Sequence, residues 1–421
     1  MLGSGALTAC SVNPRSDRLR AERAATRIAL FGAMLFPVCG ASCARNRAVG
    51  TAVGARTMNP WSVPKSIADS ARSEQLAPGV VLHHFVNRAA PWRADVLDVD
   101  LEACVAVRSV KGAATAVGRT TTSALLASLT ETDAPLAAVN ADFFLTGGVP
   151  VGALTQGGTL IAGPGDRPVF AMNRVGRPWI GNMTSDGRLT TPTSRVTLET
   201  WNRPSARVPG VVDANWGVPL DSLSRRSAWI LAPVGRDSAG PRYQARPAVG
   251  VEPLLARGDT LLLVGMSSNA VVAGTLSAGD TVRVRRMLRP FQPREVVGGF
   301  PVIVRDSAVP ASVDSAGAIG FRGLNPRTVV GYAAEGRRLL FAVIDGRQPG
   351  YSMGMTVRQT GEFLLALGAR EALNLDGGGS SAMVVRTADG TSRVVNHPSD
   401  STGERTVGDA VALLRTCPVP Q

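Results

Sequence analysis

Residues 372–385, ALNLDGGGSSAMVV, set three consecutive glycines between two apolar runs, with an aspartate directly before them and two serines directly after. A tight hairpin needs one or two glycines at such a point. The third implies a backbone conformation or a close approach that a side chain would prevent. Side chains on a strand alternate faces, which places Asn374 and Asp376 on one face and Leu375 on the other. Gly377, Gly378 and Gly379 leave backbone N–H groups bare, and successive bare N–H groups form a concave anion site. Ser380 and Ser381 add hydroxyls. A carboxyl beside an anion cradle suits acid–base work on a phosphate ester, because nearby negative charge raises its pKa and helps it hold a proton. The competing reading is a mobile hairpin tip, but such a tip predicts polar flanks, and both flanks here are of buried-strand type.

The same spacing occurs earlier in 139–144, VNADFF, where Asn140 and Asp142 again share a face. An aspartate inside a buried-looking strand is informative because burying an unpartnered charge is costly; the alternative is that Asp142 caps the turn at 146–148. Asp345-Gly346-Arg347 ends the apolar strand LLFAVI, and Arg327 opens the strand expected to pair with it. The planar fork of arginine suits phosphate or carboxylate, so Arg327 and Arg347 are candidate anion ligands; an Asp345–Arg salt bridge is the rival. Asn396, His397 and Arg405 form a further polar cluster at the next strand end. His83 and His84 read as a surface pair, since no HExxH or third ligand accompanies them. There is no GxSxG elbow for a serine nucleophile, no lysine after the glycines for a nucleotide loop, and no CxxC for zinc. No cofactor or metal site is named by these residues; a structural calcium ion bridging acidic loops stays open.

The chain has 421 residues, 44% hydrophobic but only 5% aromatic, enough for one large core or two ordinary domains filled mainly by Ala, Val and Leu. Its formal charge of +13 is carried by arginine, with Lys65 and Lys111 the only lysines. The arginines are scattered and not interleaved with aromatics, which favours a solvated basic surface over nucleic-acid binding. Arginines 18, 20, 23 and 27, the apolar run 28–38 and the small residues 39–44 read as a signal peptide over residues 1–44. This implies an exported protein, periplasmic or extracellular, with an N-terminal anchor at Cys43 as the lesser alternative. Residues 45–77 read as a flexible linker and 78–416 as the folded domain. Cys104 and Cys417 are the only cysteines in that body; pairing or free thiols both remain open. Homo-oligomerisation stays open as well.

Helix signals are few. Residues 120–129 and 356–367 each begin with a threonine cap, and the second has Gln359 three residues on and Gly368 as a stop. The middle third is short strands and turns, with Gly-Asp-Thr twice preceding an alternating run. The expectation is an α+β fold: a mixed or antiparallel sheet core, a few packed helices and a β-rich middle region.

Taken in order, NADFF, GGFP, NPRT, VIDGR, LNLDGGGSSAMV, VVNHPSD and GERTVGDA resemble the phosphodiester glycosidase family over roughly residues 76–414, most specifically in the last hundred and only loosely over 155–295. The resemblance implies an α+β catalytic domain that hydrolyses a sugar-1-phosphodiester, such as an α-GlcNAc-1-phosphodiester, to free sugar and phosphomonoester. Carried over by residue, it implies a site of Asn140, Asp142, Arg327, Asp345, Arg347, Asn374, Asp376, Gly377, Gly378, Gly379 and Ser380. The chemistry of the residues adds Asn396 and Arg405 as substrate ligands. Asp376 is the leading acid–base group, with Asp345 or Asp142 as its partner, and Asn140 and Asn374 orient sugar hydroxyls. The alternatives are a non-catalytic binder of envelope polysaccharide and a metal-dependent phosphodiesterase.

Overall fold

Strand Arg338–Ile344, RLLFAVI, is buried at every position, which a strand can be only when both faces of its sheet are covered. In the computed structural model it belongs to a seven-stranded antiparallel sheet. The order is Ser70–Ala77, Val80–Asn87, Trp92–Asp100, Arg338–Ile344, Arg327–Ala333, Glu371–Asn374 and Val302–Val304. Leu339, Phe341 and Val343 face a core shared with Ala137, Val139, Met383 and Val411. Leu340, Ala342 and Ile344 face the other way, onto Phe363 and Leu364 of helix Val357–Ala366. Truncating a fully buried side chain such as Phe341 to alanine costs about 3–5 kcal/mol.

The facing sheet has five antiparallel strands, ordered Ser392–Val394, Met383–Arg386, Pro135–Asn140, Asp409–Arg415 and Val105–Lys111. Helix Thr122–Ala127 covers its outer face through Leu125 and Leu126. The layers therefore run helix, sheet, sheet, helix. The structure describes residues 63–417 except 113–114, 222–227, 249–253, 267–273, 316–320, 322 and 388, all within the unit Gly54–Gln421. The leader reading and the first part of the linker reading lie outside the described residues.

The middle region forms two further sheets, one of five strands and one of eight. Strand Glu295–Gly298 joins the cores by alternation: Val297 packs in the first core, and Val296 in a second built from the eight-stranded sheet. Three α-helices occur among the described residues, against four sheets. The fold is thus mostly β rather than the expected α+β. The surfaces that helices would cover in an α+β domain are covered here largely by sheet-on-sheet packing.

The helix near 356–367 has the expected capping box: Gln359 N donates to Thr356 Oγ1 at 3.1 Å and Thr356 N to Gln359 Oε1 at 2.9 Å. The linker reading ends too late, because Ser70–Ala77 is a strand paired with Val80–Asn87. The histidines are not a surface pair. They point to opposite faces, with His83 1% exposed beside Ser73 and His84 bonded to Asp95. Cys104 and Cys417 form a disulfide that ties the start of one edge strand to the chain beyond its neighbour.

Candidate active site

Two strands from facing sheets, Pro135–Asn140 and Glu371–Asn374, end side by side, and each is followed by the second half of an Asn-x-Asp motif. Asn140 ties them. Its Nδ2 donates to the Asp376 carbonyl at 2.6 Å, and its Oδ1 accepts from Thr328 Oγ1 at 2.7 Å and Ala382 N at 3.0 Å. Asp376 N returns a bond to the Ala141 carbonyl at 2.8 Å. The Asn140 side chain is completely buried and committed, so it is a strut and not the sugar ligand the sequence suggested. Asn374 is corrected in the same way: it is buried, and its Nδ2 donates to the carbonyls of Phe300 at 2.7 Å and Leu375 at 2.9 Å.

The glycine turn behaves differently from the expected row of bare amides. Residues Gly378–Ser380 form one turn of 3₁₀ helix. Gly378 N donates to Pro326 O at 3.0 Å, Ser380 N to Gly377 O at 3.3 Å and Ser381 N to Gly378 O at 3.2 Å. Gly377 N–H bonds the Asp376 carboxylate, as does the Ser380 hydroxyl. The glycines are required for close approach instead. A Cβ on Gly377 would lie 2.7 Å from the Pro326 carbonyl. One on Gly378 would lie 3.0 Å from Arg347 Nη1, and one on Gly379 only 2.4 Å from Arg405 Nη2. Two guanidiniums therefore rest directly on the turn. Arg405 is steadied by Asp400 at 2.7 Å and Arg347 by Asn325 Oδ1 at 3.0 Å. Burial pushes the Asp376 carboxyl up to about 6; Ser380, Arg405, the Gly377 amide and Arg167 pull against it.

Asp142 occupies space that Gly298 and Gly152 leave open: a Cβ on Gly298 would be 2.6 Å from both of its carboxylate oxygens. Its Oδ2 accepts from Gly152 N at 2.6 Å, so it does not cap the turn at 146–148. Asp142 N donates to Asp409 Oδ1 at 2.7 Å. Burial and then the Asp409 charge raise the Asp142 pKa well above the carboxylate range. Asp409 itself is pushed up to about 6 by burial and restrained by Lys111. The Lys111 ammonium donates to the carbonyls of Gly118, Gly148 and Gly408, and burial pushes it down to about 8.

Asp345 and Arg327 do not pair. Asp345 Oδ1 accepts from Asn396 Nδ2 at 3.0 Å and His397 N at 2.9 Å, and its Oδ2 from Tyr351 OH at 3.2 Å. Burial pushes this carboxyl up to about 6. Asn396 also accepts from Met383 N at 2.8 Å and donates to Ser381 O at 3.1 Å, so it brackets Asp345 to the end of the glycine turn and is not free for substrate. Arg327 is 2% exposed and donates to the carbonyls of Met355 at 3.1 Å and of Phe321 and Gly323 at 3.2 Å. Burial, then the Arg347 charge, pushes it down to about 10. It supplies fixed positive charge from beneath and is not the exposed ligand expected.

Several residues escaped the sequence reading. The Arg167 guanidinium lies between the rings of Phe143 at 5.0 Å and Phe300 at 5.2 Å, an arrangement that holds a cation by the ring quadrupoles. Its Nη1 is buried with no hydrogen-bond partner among the described residues, and its charge acts on Asp142 and Asp376. Phe321 completes the aromatic wall, 5.7 Å from Phe143 and 5.5 Å from Phe300. Arg203, which donates to the Gly152 and Gly163 carbonyls, also acts on Asp142. Isolated arginines in a motif-poor region carry no sequence signal. Asp409 did carry one, an aspartate inside the apolar run VGDAVALL, by the reasoning that found Asp142. Among the described residues no group of three or more His, Cys, Asp or Glu is placed to hold a metal ion, and no helix is long and apolar enough to cross a membrane.

The site combines a half-buried carboxyl titrating near neutrality, a hydroxyl, several guanidiniums and an aromatic wall, a set suited to binding an oxyanion and moving a proton beside it. The family profile described as phosphodiester glycosidase matches residues 267–414. No curated protein matches the sequence. Among solved structures, a hypothetical protein from Synechocystis superposes with a TM-score of 0.66 at 19% identity over 82% of this chain, which spans 64% of that protein's length. A Burkholderia pseudomallei K96243 protein whose name marks it as a candidate for export gives 0.63 at 22% identity, covering 82% of this chain and 96% of that one. At those identities the likeness speaks for the fold alone. The zebrafish N-acetylglucosamine-1-phosphodiester α-N-acetylglucosaminidase catalytic domain gives only 0.43 at 14% identity, over 83% and 92% of the two chains. Over residues 267–414 this chain is similar to the phosphodiester glycosidase family.

Proposed function

We propose that the protein is an exported hydrolase that cleaves a sugar-1-phosphodiester of the α-GlcNAc-1-phosphodiester type. One water is consumed: the sugar leaves with a free anomeric hydroxyl, and the other product is a phosphomonoester. Arg347, Arg405 and Arg167 hold the phosphodiester oxygens, with Arg327 adding charge from below. Asp376 is the acid–base residue, because a carboxyl near pKa 6 gives and takes a proton readily at neutral pH. Ser380 orients it. Asp142, its pKa raised by burial and by the Asp409 charge, acts as the second carboxyl group. Phe143, Phe300 and Phe321 offer apolar surface to the sugar. Asp345 positions the strand end that carries Arg347.

The observation that supports this reading most is the pair of guanidiniums lying on the very turn whose first residue is Asp376. Export rests on the basic, apolar and small-residue blocks of residues 18–44. The test is to incubate the purified protein with α-GlcNAc-1-phosphomethyl and a panel of other sugar-1-phosphodiesters and to measure released sugar, with and without chelator. Release that survives chelation is expected. No turnover on any member would leave a glycan binder, and loss of turnover with chelator would leave a metal-dependent phosphodiesterase.

A further inference from the structure

A cavity of about 420 Å³ opens beside Asp345, lined by Arg72, His84, Arg93, Asp95, Tyr351 and Val395 among others. Strand register builds it. Arg72 stands opposite His84, and His84 opposite Asp95, so the three side chains lie abreast across three strands, with Arg93 two residues from Asp95 on the same face. His84 Nδ1 is 2.5 Å from Asp95 Oδ1, and its Nε2 is buried with no partner among the described residues. The Arg93 guanidinium lies 4.6 Å over the Tyr351 ring. Neither Arg72 nor Arg93 forms an ion pair among the described residues, whereas Arg88, Arg338 and Arg405 do. The cavity is also wired to Asp345. Tyr351 OH donates to its carboxylate, Asp345 N donates to Arg93 O at 3.0 Å, and Ser352 Oγ bridges Arg93 N and Asp345 O.

We propose that this cavity binds an anionic sugar unit of the substrate, beyond the unit whose phosphodiester is cleaved. This rests on the hydrolytic reading above and narrows its substrate class to an anionic glycan carrying more than one charged unit. Two unpaired guanidinium forks recognise an oxyanion. The His84–Asp95 pair presents both an imidazole nitrogen and a carboxylate to sugar hydroxyls. A volume of about 420 Å³ falls within the range of small-molecule pockets. The Arg93 guanidinium covers one face of the Tyr351 ring, which holds that fork over the cavity. Occupancy would also steady Tyr351 and, through it, Asp345.

The test is direct binding, read by titration calorimetry with glucose 6-phosphate as the probe on the full chain and on Asp376→Asn. Saturable binding is expected in both, with inorganic phosphate at least tenfold weaker. The double substitution Arg72→Gln with Arg93→Gln should weaken glucose 6-phosphate at least tenfold. Ser70→Phe, which enters the cavity from the same face as Arg72 without changing charge, should do the same and serves if the double variant fails to fold. Retained affinity in these variants, equal affinity for inorganic phosphate, or loss in Arg405→Gln alone would each overturn the proposal. Turnover is not read in this experiment, so failure of the hydrolytic reading would appear separately, in the sugar-release assay.

Discussion

Asp345 and Asp376 both follow apolar strands of one sheet, and burial pushes both carboxyls up to about 6. Their company differs. Asp345 is 2% exposed and held by neutral donors: an amide side chain, a backbone N–H and a phenol. Asp376 is half-buried, and two guanidiniums act on it along with a serine hydroxyl. A shifted pKa alone therefore does not identify a catalytic group. What distinguishes the two is whether the surrounding charge is spent on the carboxyl or remains available to a second anion.

The sharpest way to break this contrast is a pair of isosteric substitutions. Asp376→Asn should lower kcat about 10³-fold, the usual scale for losing a general acid–base residue. Because it removes a carboxyl that burial disfavours as an anion, the variant should melt no lower than the parent at neutral pH. Asp345→Asn should cost about tenfold and lower the melting temperature, since a mismatched amide would face donors that need an acceptor. Equal losses of kcat in the two variants would dissolve the distinction.

A smaller effect tests the guanidiniums on the turn. Gly379→Ala places a methyl 2.4 Å from Arg405 Nη2 and 2.6 Å from Cζ. The Arg405 fork must move, and kcat/KM should fall about 10-fold to 100-fold with the fold intact, a misplacement effect of the kind seen when binding groups shift by about 1 Å. Full activity in this variant would remove Arg405 from the site.

The smallest effect is on stability against pH, and its sign follows from the raised carboxyls. Asp345, Asp376 and Asp409 are pushed to about 6 from 3.8, and Glu295 to about 7 from 4.5. The folded chain keeps protons that the unfolded chain releases. This contribution is complete below the unfolded values and is lost as pH rises through the folded ones. The melting temperature should therefore fall between about pH 5 and pH 8. Glu295 lies away from the glycine turn, accepting from Ser109 N at 3.0 Å and Gly157 N at 3.1 Å. Glu295→Gln should flatten the upper part of that fall; an unchanged slope would show that its carboxyl is not raised.

Much of the architecture was legible locally. The capped helix near 356–367, the hairpin around Glu335 and Gly336 and the buried strand from Pro135 all follow from cap residues, turn glycines and apolar runs. The fold class was misread, because an apolar run looks the same whether a helix or another sheet covers it. Sequence also pointed to Asp142, Asp376 and the glycine turn, since a charge or three glycines among buried residues is costly unless something uses them. It could not assign their tasks. Asn140 and Asn374 have the spacing of ligands but face inward onto carbonyls and a hydroxyl from other strands.

What the chain carries in its own sequence is the set of chemical groups and the strand ends that bear them, because short-range pattern controls both. Tertiary packing alone decided which of those groups are struts and which face a cleft, and it delivered Arg167 and Arg405 to Asp376 from positions 209 residues behind and 29 ahead. Electrostatics acts through space, so a carboxyl's partners are chosen by the fold and not by its neighbours along the chain.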